Sequence, residues 1–205
     1  MTLSEEVYRN LKEKLALLQD GEFISARNYA NECKVSLTPV REALLRLTNE
    51  GYLNKVANVG FFKASIDYNS VKDFIESRIM IENYVMPKVV QMMTDQDIAY
   101  LEKVVTEMEQ AVKENSVLKY GEMDIKFHCY IIDLYGNKSI SQYYRNIREQ
   151  LGMYSRKNFV DNTTIQEHKN FLKLVSEKEY EKALDVIIMP LENFMARLAE
   201  GAMRI

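Results

Sequence analysis

The chain has 205 residues, 47% of them hydrophobic and 28% charged, with a net charge of −3. That balance excludes a low-complexity or disordered chain, and no uninterrupted apolar run approaches the roughly 18 residues that span a bilayer. Cys33 and Cys129 lie far apart and outside any CxxC pair, which excludes a disulfide framework or a zinc ribbon, so both are expected as buried thiols. Met1–Glu6 has no basic region followed by an apolar core, as a secretory signal would, and a cytoplasmic location is expected.

In chain order, Ser4–Leu18 places Val7, Leu11, Leu15 and Leu18 on one face of a helix that Asp20-Gly21 ends. A short helix is predicted over Ser25–Lys34, with Ser25 able to accept from an orphan backbone N–H at its start. After a tight turn at Lys34-Val35, Ser36 or Thr38 can cap a second helix that runs to about Leu47, and Pro39 falls in its first turn, where a missing N–H costs little. Val40, Ala43, Leu44 and Leu47 recur at i, i+3, i+4 and i+7 and form its buried stripe, which leaves Leu37, Arg41 and Arg46 to face outward. Gly51 supplies a stop. Tyr52–Val56 and Phe61–Ala64 read as strands joined through Ala57-Asn58-Val59-Gly60. Two short helices followed by a hairpin make a helix-turn-helix with a wing.

Beyond Asp67 the strand signals stop, and helices are predicted near 68–92, 95–114, 117–135, 138–158, 163–176 and 179–201. Six helices with short connections imply an antiparallel bundle, with Pro87 and Pro190 expected to kink the first and last of them. The fold class is therefore mainly α, a winged helix-turn-helix over 1–66 and an all-helical domain over 67–205. Met80, Met86, Met92, Met93 and Met108 fall in the bundle helices and are expected to fill its core. Charge divides between the two parts, +1 over 1–65 and −4 over 66–205. Any affinity for DNA must then come from a local arrangement of arginines and from two copies of the chain, not from bulk charge.

The segment Val35-Ser36-x-Thr38-Pro39-Val40-Arg41-Glu42-Ala43-Leu44, with Leu47, Glu50-Gly51 and a Gly60-centred hairpin, resembles the winged-helix domain of GntR-type bacterial transcription regulators. The resemblance implies that Arg27 grips DNA, that Arg41 reads or flanks a guanine, that Ser36 and Thr38 lie at the DNA with Thr38 on phosphate, and that Asn58 to Gly60 enter the minor groove. The chain departs from the family at Leu37, where an arginine usually follows the serine. A bidentate guanine contact is replaced there by at most an apolar contact, such as with a thymine methyl.

The C-terminal part resembles the FCD-type effector domain of the FadR subfamily in three motifs: Arg78-x-x-x-Glu82, Asp124-x-x-Phe127-His128 with Gly136-Asn137, and Glu167-His168 followed by Ala183. From spacing alone, Asp124 and His128 share one helix face and can reach a common ion. The resemblance adds His168 to that set, and implies a divalent metal (Zn²⁺, Ni²⁺ or Mn²⁺) at the floor of a pocket for a small carboxylate. Its fourth ligand position falls on Pro190, which has no side-chain donor, so water or effector oxygens would complete the shell. The pocket can equally bind an organic ligand without a metal. Arg78 can pair with a ligand carboxylate or with Glu82 at i+4; Tyr120, Tyr154 and Arg156 are further lining candidates.

The expected function is a ligand-responsive, DNA-binding transcription regulator acting as a homodimer on a palindromic double-stranded operator, with no membrane partner and no catalytic residues. Two rivals are a metal-dependent enzyme built on a 2-His-1-carboxylate face and an adaptor whose winged helix binds protein.

Overall fold

The computed structural model describes residues 3–15, 17–65, 67–155 and 162–199. The chain divides into two compact units, residues 1–66 and 67–205.

In the first unit, α1 (Leu3–Leu15) buries Val7, Leu11 and Leu15 and packs mainly on α3 (Leu37–Asn49). It ends before Leu18, so that leucine belongs to the following turn and not to the helix face. α2 (Ala26–Cys33) is capped as the sequence suggests: Ser25 Oγ accepts from Asn28 N at 3.2 Å. Its C-cap is Lys34 at φ 56°, a left-handed turn that reverses the chain into α3. Ser36 occupies the N-cap of α3, but its side chain makes no capping bond. Val40, Ala43, Leu44 and Leu47 are each 2% exposed or less, the stripe that the spacing predicts.

Gly51 closes α3 at φ 82° and sends the chain into β2 (Leu53–Val56). β2 and β3 (Gly60–Lys63) pair antiparallel, from Leu53 with Lys63 to Val56 with Gly60. A third strand, β1 (Phe23–Ile24), pairs with the other edge of β3, giving the order β1-β3-β2. Gly60 is forced by this sheet: it lies at φ 150°, and a Cβ there would come within 2.5 Å of the Phe23 ring.

Among the described residues of the second unit, six helices follow: α4 (Tyr68–Val89), α5 (Asp95–Lys113), α6 (Val117–Asp133), α7 (Lys138–Ser155), α8 (Asn162–Ser176) and α9 (Tyr180–Ala199). α5 packs on α6 and α8, α6 on α7, and α9 on α4 and α8. Thr94 and Asp97 start α5 with a reciprocal capping box. Pro87 and Pro190 lie inside α4 and α9, which continue past them.

Two expectations fail here. Cys33, the last residue of α2, is exposed; Cys129 is buried, and burial raises its thiol to about 11. Met86 and Met108 are core residues, but Met80 and Met92 are 70% and 58% exposed. Met80 lies on an exposed face of α4, whereas Met92 lies past its end, because the helix stops at Val89 and not at residue 92 as expected.

Candidate nucleic-acid interface and metal centre

The outward side of α3 carries Thr38, Arg41, Glu42, Leu45, Arg46 and Asn49, all exposed, with Leu37 half-buried at its start. α1 takes up one edge of this face. The Arg46 guanidinium lies 3.8 Å from the centre of the Tyr8 ring, and it donates to Glu5 at 2.9 Å and Glu50 at 3.0 Å. Tyr8 donates in turn to Glu50 at 2.6 Å, and Ser4 to Glu42 at 3.3 Å. Arg46 therefore faces outward but serves the helix pair, where the sequence left it as a third outward residue beside Leu37 and Arg41. Arg27, Ser36, Thr38 and Arg41 are exposed, and among the described residues neither Arg27 nor Arg41 enters an ion pair. Asn58 sits at the exposed wing turn at φ 61°, beside half-buried Gly60.

In the second unit, α6 carries Asp124, Phe127 and His128, and α8 carries His168. His128 Nε2 and His168 Nε2 are 3.1 Å apart, and each lies 3.7 Å from Asp124 Oδ1. A point about 2.0 Å from all three atoms lies close to the centre of this triangle, which is the length of a zinc–nitrogen or zinc–carboxylate bond. The rings are held from the side: Phe127 stacks on His168 at 4.1 Å and meets His128 edge-on at 5.5 Å. Burial lowers both imidazole pKa values. His168 falls to about 4, with Arg148 and Arg78 adding to the shift and Asp124 opposing it; His128 falls well below the usual value, with Arg148, His168 and Arg78 adding to burial. Both rings are neutral at pH 7, the form that ligates a metal. The three donors thus fit a divalent ion on one face. Half-buried Pro190, in α9, brings no donor to it.

A second layer was only partly foreseen. Arg148 of α7, 6% exposed, pairs with the other oxygen of Asp124, so Oδ1 is the oxygen turned toward the imidazoles. Glu82 of α4 is fully buried, and its Oε1 accepts from Arg78 Nε and Nη2 at 3.1 Å each and from Tyr144 Oη at 2.5 Å. Burial raises the Tyr144 phenol, and the Glu82 charge adds to that. Burial disfavours the Arg148 cation, but Asp124, then Tyr144 and Glu82, hold its pKa above the ordinary value. Two carboxylates and two guanidiniums therefore balance before any ion or ligand is added. Arg78 is only 11% exposed in its side chain and already committed to Glu82. Tyr120 is buried. The side chain of Tyr154 and the whole of Arg156 lie outside the described residues. Arg148 had one signal in the sequence: it lies beside the apolar stripe of Ile140, Tyr144, Ile147 and Leu151 on α7, at i+4 from Tyr144.

Comparison with known proteins agrees with both halves. Residues 3–62 match "Bacterial regulatory proteins, gntR family", and residues 73–199 match the FCD domain. The chain is 29% identical to the Nta operon transcriptional regulator of Aminobacter aminovorans, over 88% of this chain and 86% of that one. It is 23% identical to the uncharacterized HTH-type transcriptional regulator YdhC of Bacillus subtilis, over 87% and 83%. Among solved structures, McbR/YncC of E. coli superimposes with a TM-score of 0.79 at 21% identity, covering 99% of this chain and 100% of that one. A GntR regulator from Rhodococcus sp. RHA1 superimposes at 0.82 with 16% identity, covering 98% and 99%. A winged helix-turn-helix with an open arginine edge, an Asp-His-His face in a helical unit and these matches together assign the chain to the GntR family of bacterial transcription regulators, in the group that carries an FCD domain.

Proposed function

We propose that this regulator binds a palindromic operator as a homodimer in the cytoplasm and that a small carboxylate, taken up in the 67–205 unit, changes its hold on DNA. Residues 1–66 are the DNA-binding domain in this reading, and 67–205 the effector-binding and dimerisation domain. The observation that carries the reading is the open edge of α3, where Thr38 and Arg41 stand exposed while the opposite edge is taken up by α1. Arg27 and Thr38 hold the backbone beside Ser36, Arg41 takes a guanine, and Asn58 and Gly60 present the wing to the minor groove. One weakly cationic unit binds weakly, whereas two on a palindrome act as linked sites.

The Asp124, His128 and His168 face would hold a Zn²⁺, Ni²⁺ or Mn²⁺ ion, which supplies a Lewis-acidic position for an effector oxygen. Arg148 keeps Asp124 turned toward the imidazoles, and Arg78 lies behind them on Glu82. Arg78, Tyr154 and Arg156 remain the candidates for the effector's carboxylate. An effector that binds one dimer arrangement better than another shifts the population between them.

Arg41→Ala is expected to weaken operator binding by about 1–3 kcal/mol and relax one base position, with Arg27→Ala weakening all sequences alike. Unchanged footprints with Arg41→Ala would remove α3 from the interface. Binding should fall steeply with salt, whereas salt-independent capture of a protein partner would favour an adaptor. Leu37→Arg, which restores the family's usual residue, is expected to move the selected operator toward guanine at one step. An identical selected sequence from wild type and variant would show that Leu37 does not face the bases. The same Asp-His-His face also describes a 2-His-1-carboxylate iron enzyme. Oxygen consumption above background with Fe²⁺ and a 2-oxo acid would favour that reading over a regulator without catalysis.

A further inference from the structure

We propose that Leu45 is a base-reading residue that takes the 5-methyl group of a thymine about two base pairs from the base reached by Arg41; the inference rests on the DNA-binding reading above. Leu45 is 41% exposed, whereas Val40, Ala43, Leu44 and Leu47 of the same helix are 2% exposed or less. Its place on the helix decides the matter. Thr38, Arg41 and Leu45 stand at i, i+3 and i+7, on one stripe of the outward face. Glu42 and Arg46, the other outward residues of these turns, are engaged by Ser4, Glu5 and Glu50. The edge that α1 leaves open is therefore Leu37, Thr38, Arg41 and Leu45, with Arg41 one turn after one leucine and one turn before the other.

A leucine on a groove-facing stripe cannot hydrogen-bond a base edge. The apolar group that the major groove offers is the methyl of thymine. Four residues of helix advance about 6 Å, close to two base-pair steps of about 3.4 Å. A helix lying along the groove with Arg41 on a guanine thus brings Leu45 over the pair two steps away. Leu45 reaches a methyl there that alanine, with three fewer side-chain carbons, does not. Reading by a methyl also suits a unit of net charge near zero, because specificity then does not add to non-specific attraction.

The test uses the full chain. An operator is first selected from random duplex DNA, and each thymine of one half-site is then replaced in turn by deoxyuridine, which removes the methyl and nothing else. For the wild type, one replacement should weaken binding about fourfold, the equivalent of the ~0.8 kcal/mol of one buried carbon group. Leu45→Ala should bind the thymine and uracil forms of that position equally, and Leu45→Gln should return a different base there on reselection. Because Leu45 is exposed, both variants should melt with the wild type. If selection enriches an operator but every uracil replacement affects wild type and Leu45→Ala alike, the assignment of Leu45 is overturned while the DNA-binding reading stands. If selection enriches no sequence, the DNA-binding reading fails, and the role of Leu45 with it.

Discussion

Glu82→Gln is expected to destabilise the C-terminal unit by about 3–5 kcal/mol, the cost of breaking a buried ion pair from one side. Glu82 is fully buried, and one of its oxygens takes two bonds from Arg78 and one from Tyr144. With glutamine there, Arg78 and Arg148 remain charged among helices with Asp124 as the nearest compensating carboxylate. Urea unfolding of the full chain measures the loss. The double variant Glu82→Gln/Arg78→Gln should recover part of it, since the orphaned cation goes as well. A loss below about 1 kcal/mol for Glu82→Gln would mean that water screens the cluster as it does a surface pair.

His128→Ala is expected to abolish metal binding at the Asp124, His128 and His168 face, because only two donors remain and no histidine other than His168 exists in the chain to replace the third. Elemental analysis of purified wild type and variant, with Zn²⁺ and Ni²⁺ titrated into chelator-stripped protein, reads the outcome directly. Wild type should take up one ion per chain without net proton release from the imidazoles at pH 7, since both rings are already neutral and the hydrogen shared by the Nε2 atoms 3.1 Å apart moves to Nδ1 by tautomerisation. Equal occupancy in the variant would remove these residues as the metal site.

Much of the fold was legible because local rules agree with one another. Ser25, Pro39, Gly51 and the Val40–Leu47 stripe each point to the same two helices, and the structure has them. β1 was not legible: two residues, Phe23 and Ile24, are too few to show alternation, and only pairing with β3 makes them a strand. Exposure of Met80 depends on the direction its helix faces, which periodicity in a mixed sequence leaves open, while Cys33 and Met92 are exposed at or just past a helix end, where boundaries are hardest to read. At the candidate metal centre the pair Asp124 and His128 follows from i, i+4 spacing, but bringing His168 to 3.1 Å is a property of how α6 and α8 pack. Arg148 is the larger omission. Its pairing with Asp124 joins residues 24 apart in sequence, and its place beside the apolar stripe of α7 was the one trace it left.

The clamp that α1 places on α3 has a further consequence, for the speed and cost of recognition. Arg46, Glu5, Glu50 and Tyr8 tie α1 to α3, so the edge proposed to read DNA would meet a duplex already shaped. In the proposed reading, ordering on contact would be confined to a few long side chains, Arg41 among them, at roughly 0.5–1.5 kcal/mol for each rotamer-rich chain fixed. A reading unit with net charge near zero gains little from long-range attraction. Under the proposed reading, such a unit would keep its affinity by arriving rigid.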